Sequence, residues 1–207
     1  MKFASGGRIM GGATTKHSLI LASASPRRLA LLRQAGIEPD EVLAADIDES
    51  PLAGEGPRAL VLRLARAKAV AVAGKHTRAF VLAGDTIVAC GRRILPKPAS
   101  EVEARRCLEL LSGRRHRVHG GIAVMAPGGE CVVRHVETVV SFKRLQADEI
   151  AGYLASGEWR GKAGGYAIQG RAGLFARNLN GSYSNVVGLP VFEVGQLLRG
   201  LGFGKLL

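Results

Sequence analysis

The sequence predicts an α/β fold, and three observations carry that prediction. A short apolar run, Leu19-Ile20-Leu21, passes through Ala-Ser-Ala-Ser-Pro into residues with helical spacing. An amphipathic helix over residues 57–73 is followed by an apolar strand over residues 80–90. Two β-rich runs, residues 118–125 and 131–142, are joined by Pro127-Gly128-Gly129, which is a hairpin signal. A chain of 207 residues can bury a sizeable core as one domain, or split into two closely packed lobes. An apolar fraction of 47% and a mean hydropathy of +0.13 describe a globular chain and exclude a disordered one.

Taken in order, residues 1–17 are rich in Gly and Thr, lack periodicity and read as an extension ahead of one domain over residues 18–207. Lys2, Arg8 and Lys16 precede Leu19-Ile20-Leu21, but that apolar run is far too short for a signal peptide. No run approaches the length of a membrane span. At the first strand-to-helix junction Ser25 is a favoured N-cap and Pro26 suits the first helical position. The helix runs through Leu29, Leu31, Leu32 and Ala35 and stops at Gly36. Cations belong at the C-terminal end of a helix dipole, so Arg27 and Arg28 in the first turn are unfavourable unless an anion offsets them. With Ser23, Ser25 and the free first-turn N–H groups they form a candidate phosphate site. The alternative is a plain cap followed by a solvated turn.

A strand is expected over residues 41–45, ending in Asp46-Ile47-Asp48-Glu49-Ser50-Pro51. Asp and Ser beside Pro is turn chemistry, so these carboxylates are either a solvated loop or reach back over the phosphate site to help hold a metal. The helix over residues 57–73 places Leu60, Leu64, Ala67 and Ala71 on one stripe, and Lys68 reads as a surface lysine. In Phe-Val-Leu-Ala-Gly-Asp-Thr-Ile-Val-Ala-Cys a single acid, Asp85, stands amid apolar residues, where it needs a cation or several hydrogen bonds. A strand break at Gly84 would put Asp85 at a strand end, where α/β proteins place ligand sites; the alternative is a turn cap. Gly91-Arg92-Arg93 reads as a tight connection, and Pro96 and Pro98 stiffen the loop that presents Lys97.

Residues 100–111 read as a helix with Ser100 and Glu103 as a capping box. His116 and His119 point to opposite faces of the next strand and are rejected as a metal pair. Residues 148–154 form a short helix, and 191–198 close the chain as another. Between them lie Gly-rich stretches, 161–170 and 180–190, interspersed with Tyr166, Ile168, Leu174, Phe175 and Val186, which read as ordered loops around a site.

The net charge of +12 and pI near 10.4 point to acidic partners, nucleotides and nucleic acid first. The basic residues are scattered and aromatics make up only 5%, so a base-stacking platform for single strands is poorly supported and small phosphorylated ligands fit better. Three cysteines, Cys90, Cys107 and Cys131, form no close pair, which favours reduced thiols in the cytoplasm; as side chains they read as small buried hydrophobes.

Together, Ser-Ala-Ser-Pro-Arg-Arg, Gly-Asp-Thr, Pro-Lys-Pro, Gly-Lys-Ala-Gly-Gly-Tyr-Ala-Ile-Gln-Gly and Gly-Ser-Tyr-Ser-Asn-Val-Val-Gly-Leu-Pro resemble the Maf family of nucleoside triphosphate pyrophosphatases, in order from about Leu19 to Leu198. The resemblance implies the fold shared with inosine triphosphate pyrophosphatases, an elongated mixed twisted sheet with two lobes flanking a central cleft. It also implies hydrolysis of a nucleoside triphosphate to the monophosphate and pyrophosphate, with Mg²⁺ or another divalent metal, and a homodimer as in many family members. Ser23, Arg27, Arg28, Lys68 and Lys97 would then face phosphates, Asp85 would be proton acceptor or metal ligand, Glu49 the second carboxylate, and Gln169 the glutamine near base or substrate. The Gly-Lys-Ala-Gly and Tyr-Ala-Ile-Gln-Gly form is similar to the subgroup that prefers dTTP and UTP. Gly84, Pro96 and Gly120-Gly121 depart from the residues usual in the family. The expected activity is that of a house-cleaning or regulatory pyrophosphatase, the alternatives being one for purine or modified nucleotides and a nucleic-acid-binding regulator of cell division without turnover.

Overall fold

The computed structural model describes residues 17–204. Of the extension expected over residues 1–17, residues 1–16 lie outside the described residues. The buried strand β1 (Leu19–Ala22) lies parallel to β2 (Glu41–Leu43) on one side and to β3 (Phe80–Cys90) on the other. Beyond β3 the sheet is antiparallel: β5 (Arg115–Met125), β6 (Cys131–Phe142) and β7 (Ala176–Asn180) follow in that order. The short strand β4 (Arg93–Leu95) turns back on the end of β3 through Gly91, whose φ of 59° suits glycine. The result is a mixed seven-stranded sheet ordered β2-β1-β3-β5-β6-β7, with β4 beside β3.

Among the described residues six α-helices flank it. The helix α2 (Pro57–Ala73) packs on one face, over Ile20, Val81, Ala83, Ile87 and Ala123. On the other face lie α1 (Pro26–Gln34), α3 (Glu101–Leu111), α4 (Ala147–Ala155), α5 (Tyr183–Val187) and α6 (Val191–Gly200), around a core that includes Leu32, Leu82, Leu108, Ile122, Tyr153 and Leu198. The face with α2 is closely approached. A side chain at Gly121 would overlap the Val61 carbonyl, so glycine sets how near helix and sheet can come.

One irregularity in pairing creates the site. Strand β5 occupies one edge of β3 from Val81 to Ala89. On the opposite edge β1 pairs only as far as Ala83, and β4 begins at Val88. Among the described residues, therefore, no strand lies beside residues 84–87 on that edge, and the chain leaving β1 turns away there into α1.

Several sequence expectations need correction. The strand does not break at Gly84: Gly84 and Asp85 pair with Ile122 and Gly121, so Asp85 sits mid-strand. Unbroken pairing to β5 outweighs the glycine's conformational freedom. The buried stripe of α2 is Leu60, Val61, Leu64, Ala65, Lys68, Ala69 and Val72, while Ala71 is exposed. Lys68 is thus not a surface residue. Glu103 accepts from Ala99 N–H and not from Ser100, so only the Ser100 half of the capping box forms. The strand β7 was not anticipated, because Ala-Arg-Asn-Leu-Asn has none of the β-branched alternation that marks strands.

Candidate active site

The gap on the edge of β3 opens into a cleft of about 500 Å³. Ser23, Ser25, Arg27 and Arg28 line it from the β1–α1 junction, Glu49 from the loop after β2, and Lys68 from α2. Lys97 enters from the loop after β4, and Gln169 from the Gly-rich stretch. Eight of the nine residues singled out in the sequence therefore share one cavity. The ninth, Asp85, is 5% exposed and lies directly behind it, joined to the cleft through Lys68.

Lys68 is the hinge of this arrangement. Its Nζ donates to Asp85 Oδ1 at 2.7 Å and stands 2.6 Å from Glu49 Oε1. Lys97 Nζ lies 3.4 Å from the other Glu49 oxygen. Burial works to raise the Glu49 carboxyl, but the hydrogen bond and charge of Lys68, helped by Lys97, outweigh it and hold Glu49 below the usual carboxylate range. Asp85 and Glu49, from distant segments, thus converge on a single ammonium.

Arg28 is fixed on three sides. Its Nε donates to Gly188 O at 2.8 Å, Nη1 to Ser23 Oγ at 3.0 Å and Nη2 to Thr86 Oγ1 at 3.3 Å. Thr86 Oγ1 also donates to Gly188 O. Arg27 Nε donates to Val187 O and Nη2 to Gly161 O, both at 3.4 Å. Ser25 occupies the N-cap position of α1, but its hydroxyl makes no cap hydrogen bond; instead its N–H donates to Ser23 Oγ. The first turn of α1 is left with two arginines and no side-chain cap, an end suited to an anion.

The sequence reading missed Arg160 and Lys162, which line the far wall. Burial lowers the Arg27 guanidinium, and burial together with the Arg27 charge lowers the Lys162 ammonium. Among the described residues none of Arg27, Arg28, Arg160 and Lys162 has a carboxylate within 4 Å. The signal was present in Gly161-Lys162-Ala163-Gly164, read there for its glycines and as a family motif, with no role given to Lys162. Tyr166 was read only as one of the residues that order the loops around the site. It lines the cleft while its hydroxyl meets His116 Nε2 at 2.8 Å, and burial pushes its phenol up, so it stays neutral.

Among the described residues no group of three or more His, Cys, Asp or Glu side chains is placed to hold a metal by itself. Two carboxylates meeting at one cation are nonetheless the donor set that a magnesium-like ion uses when substrate oxygens complete its shell. No helix is long and apolar enough to cross a membrane among the described residues.

Residues 18–201 match the family model for Maf-like proteins. The dTTP/UTP pyrophosphatase of Paramagnetospirillum magneticum is 64% identical over 185 residues, covering 89% of this chain and 97% of that protein. Those of Rhodospirillum rubrum and Maricaulis maris are 60% and 59% identical, over 93% and 92% of this chain and 92% and 91% of theirs. A nucleoside-triphosphatase/dITP/XTP pyrophosphatase structure from Mycobacterium abscessus is more distant, 22% identical over 63% of this chain and 76% of that one, with a TM-score of 0.39. On the family match and on identity across nearly the whole length of its relatives, the chain belongs to the Maf-like proteins.

Proposed function

We propose that this cleft hydrolyses nucleoside triphosphates, dTTP and UTP first, to the nucleoside monophosphate and pyrophosphate. The observation that carries the reading is electrostatic: Arg27, Arg28, Lys68, Lys97, Arg160 and Lys162 line one cavity whose only acidic lining residue among the described residues is Glu49, with Asp85 behind Lys68. The names of the relatives at 59–64% identity support the same substrates.

Cleavage between the α- and β-phosphorus needs a water aligned with the α-phosphorus, a carboxylate to take its proton, and cations around the leaving pyrophosphate. Asp85 is a fixed acceptor. Mid-strand placement and the Lys68 hydrogen bond leave its carboxylate little freedom, so water must be brought to it. Glu49, more exposed and shared by two lysines, is the second acceptor. Arg28, held by Gly188, Ser23 and Thr86, grips phosphate from the α1 end with Arg27 beside it, and Lys162 faces it from the other wall. Gln169 lines the cleft as a neutral donor and acceptor for base or substrate. Asp85 and Glu49 would hold a divalent ion, which supplies charge neutralisation on the phosphates when bound. The free thiols Cys90, Cys107 and Cys131 support a reducing, cytoplasmic setting.

The test is pyrophosphate release from a panel of pyrimidine, purine and modified triphosphates, with and without Mg²⁺. The reading expects dTTP and UTP to lead and Asp85→Asn to be inactive. Faster release from purine or modified nucleotides would reassign the substrate; no release from any would overturn the enzyme reading.

A further inference from the structure

Asn185 is fully buried, yet it belongs to none of the walls of the cleft. It lies in α5, a helix of five residues, too short to persist without tertiary support. The side chain supplies that support. Asn185 Nδ2 donates toward Val118 O at 3.2 Å, Val136 O at 3.4 Å and Thr138 Oγ1 at 3.0 Å, and so ties the helix to β5 and β6 together. Thr138 Oγ1 also accepts from Ser182 N–H at 3.1 Å, and Ser182 Oγ caps the helix by accepting from Asn185 N–H at 3.2 Å. The amide lies where a side chain on Gly120 would be: a Cβ there would overlap Asn185 Oδ1.

The other end of the same short helix makes the site. Gly188, with a φ of 144° open to glycine, closes α5 and presents its carbonyl to Arg28 Nε and Thr86 Oγ1, while Val187 O accepts from Arg27 Nε. Both arginines therefore take their orientation from carbonyls that follow Asn185 by two and three residues. We propose that Asn185, seated over Gly120, is a positioning residue that sets the Val187 and Gly188 carbonyls and thereby aims Arg27 and Arg28 at the substrate's phosphates. This deepens, and rests on, the reading of the cleft as a triphosphate site. Guanidinium recognition of phosphate depends on the orientation of a planar fork, so a shift of the acceptors behind the arginines weakens binding without touching the ligand.

The test is calorimetric binding of inorganic tripolyphosphate, which needs no turnover, on protein verified as folded at the assay temperature. Asn185→Ala and Gly120→Ala each weaken binding by about tenfold, the order expected when a charge-assisted contact is misaligned. Because both remove the same seating, the double variant binds no worse than Asn185→Ala, and in an Arg28→Ala background Asn185→Ala costs less than it does in wild type, the remainder passing through Arg27. If Gly120→Ala does not fold, Asn185→Ser against Arg28→Ala gives the same cycle. Wild-type binding in Asn185→Ala despite a lowered Tm, or effects additive with Arg28→Ala, overturns the proposal. Wild-type protein that binds tripolyphosphate but cleaves no nucleotide would sink the enzymatic reading and leave this one standing.

Discussion

Lys68 Nζ lies within 2.7 Å of Asp85 Oδ1 and 2.6 Å of Glu49 Oε1, so one buried ammonium joins the two acids of the cleft. Lys68→Met would leave Asp85 buried and uncompensated, an exchange that costs about 3–5 kcal/mol. Denaturant unfolding should show that loss as a lowered midpoint with little change in slope. A midpoint within error of wild type would mean that Asp85 does not need this cation.

Asp85→Asn keeps the shape of the site while removing the proposed proton acceptor and one negative charge beside the proposed phosphate site. Turnover should fall by at least about 100-fold while UTP binding holds or tightens. Turnover preserved at weakened affinity would contradict the role given to Asp85.

Lys97 has a half-exposed side chain and a long contact to Glu49, so its removal should barely touch stability. Lys97→Ala should instead raise KM for UTP by about tenfold, the value of one charge-assisted phosphate contact. Unchanged kinetics would remove Lys97 from the site.

Lys162 and Arg27 repel each other within the cleft, a repulsion that the Glu158 charge only partly offsets, and among the described residues neither has a carboxylate within 4 Å, which suits the more highly charged end of the ligand. Lys162→Met should weaken product inhibition by pyrophosphate by about tenfold while inhibition by UMP stays within about twofold. Equal loss for both products would argue against a separate pyrophosphate end.

His116 is buried between Phe142 and Tyr166, and burial pushes its imidazole down to about 4 from 6.5. The unfolded chain thus binds this proton more readily than the folded one. Stability from this group is complete above pH 6.5 and is lost as pH falls toward 4, by about 3 kcal/mol in all. His116→Phe should flatten that limb of a stability–pH curve, although it also removes a partner of the Tyr166 hydroxyl. An unchanged limb would assign the acid sensitivity elsewhere.

Much of this was legible in the residues, and the parts that were not share a cause. The helix expected over residues 57–73 matches α2 to the residue because amphipathic spacing and a proline at the first helical position are local signals. The Ser-Pro-Arg-Arg turn announced an anion site because its conflict with the helix dipole is also local. Asp85 stood out as one acid in an apolar run, but its place mid-strand depends on β5, which begins thirty residues later. Lys68 was misread because a hydrophobic stripe counts only apolar residues, whereas its burial is paired from β3 and from the loop at Glu49. Asn185 looked like one more polar residue in a Gly-rich loop. Only the strands beneath it, and the missing side chain at Gly120, make it an anchor.

The unpaired stretch on one margin of β3 divides labour within the molecule. On its paired side the strand is locked, so the acid moves only if the sheet moves. On its open side every contributor except Lys68 of α2 arrives on a separate connection: the β1–α1 turn, the segment holding Glu49, the proline loop and the Gly-rich run. New nucleotide preferences can therefore be acquired by remodelling connections one at a time, while the apparatus for breaking the anhydride stays anchored in the middle of the sheet.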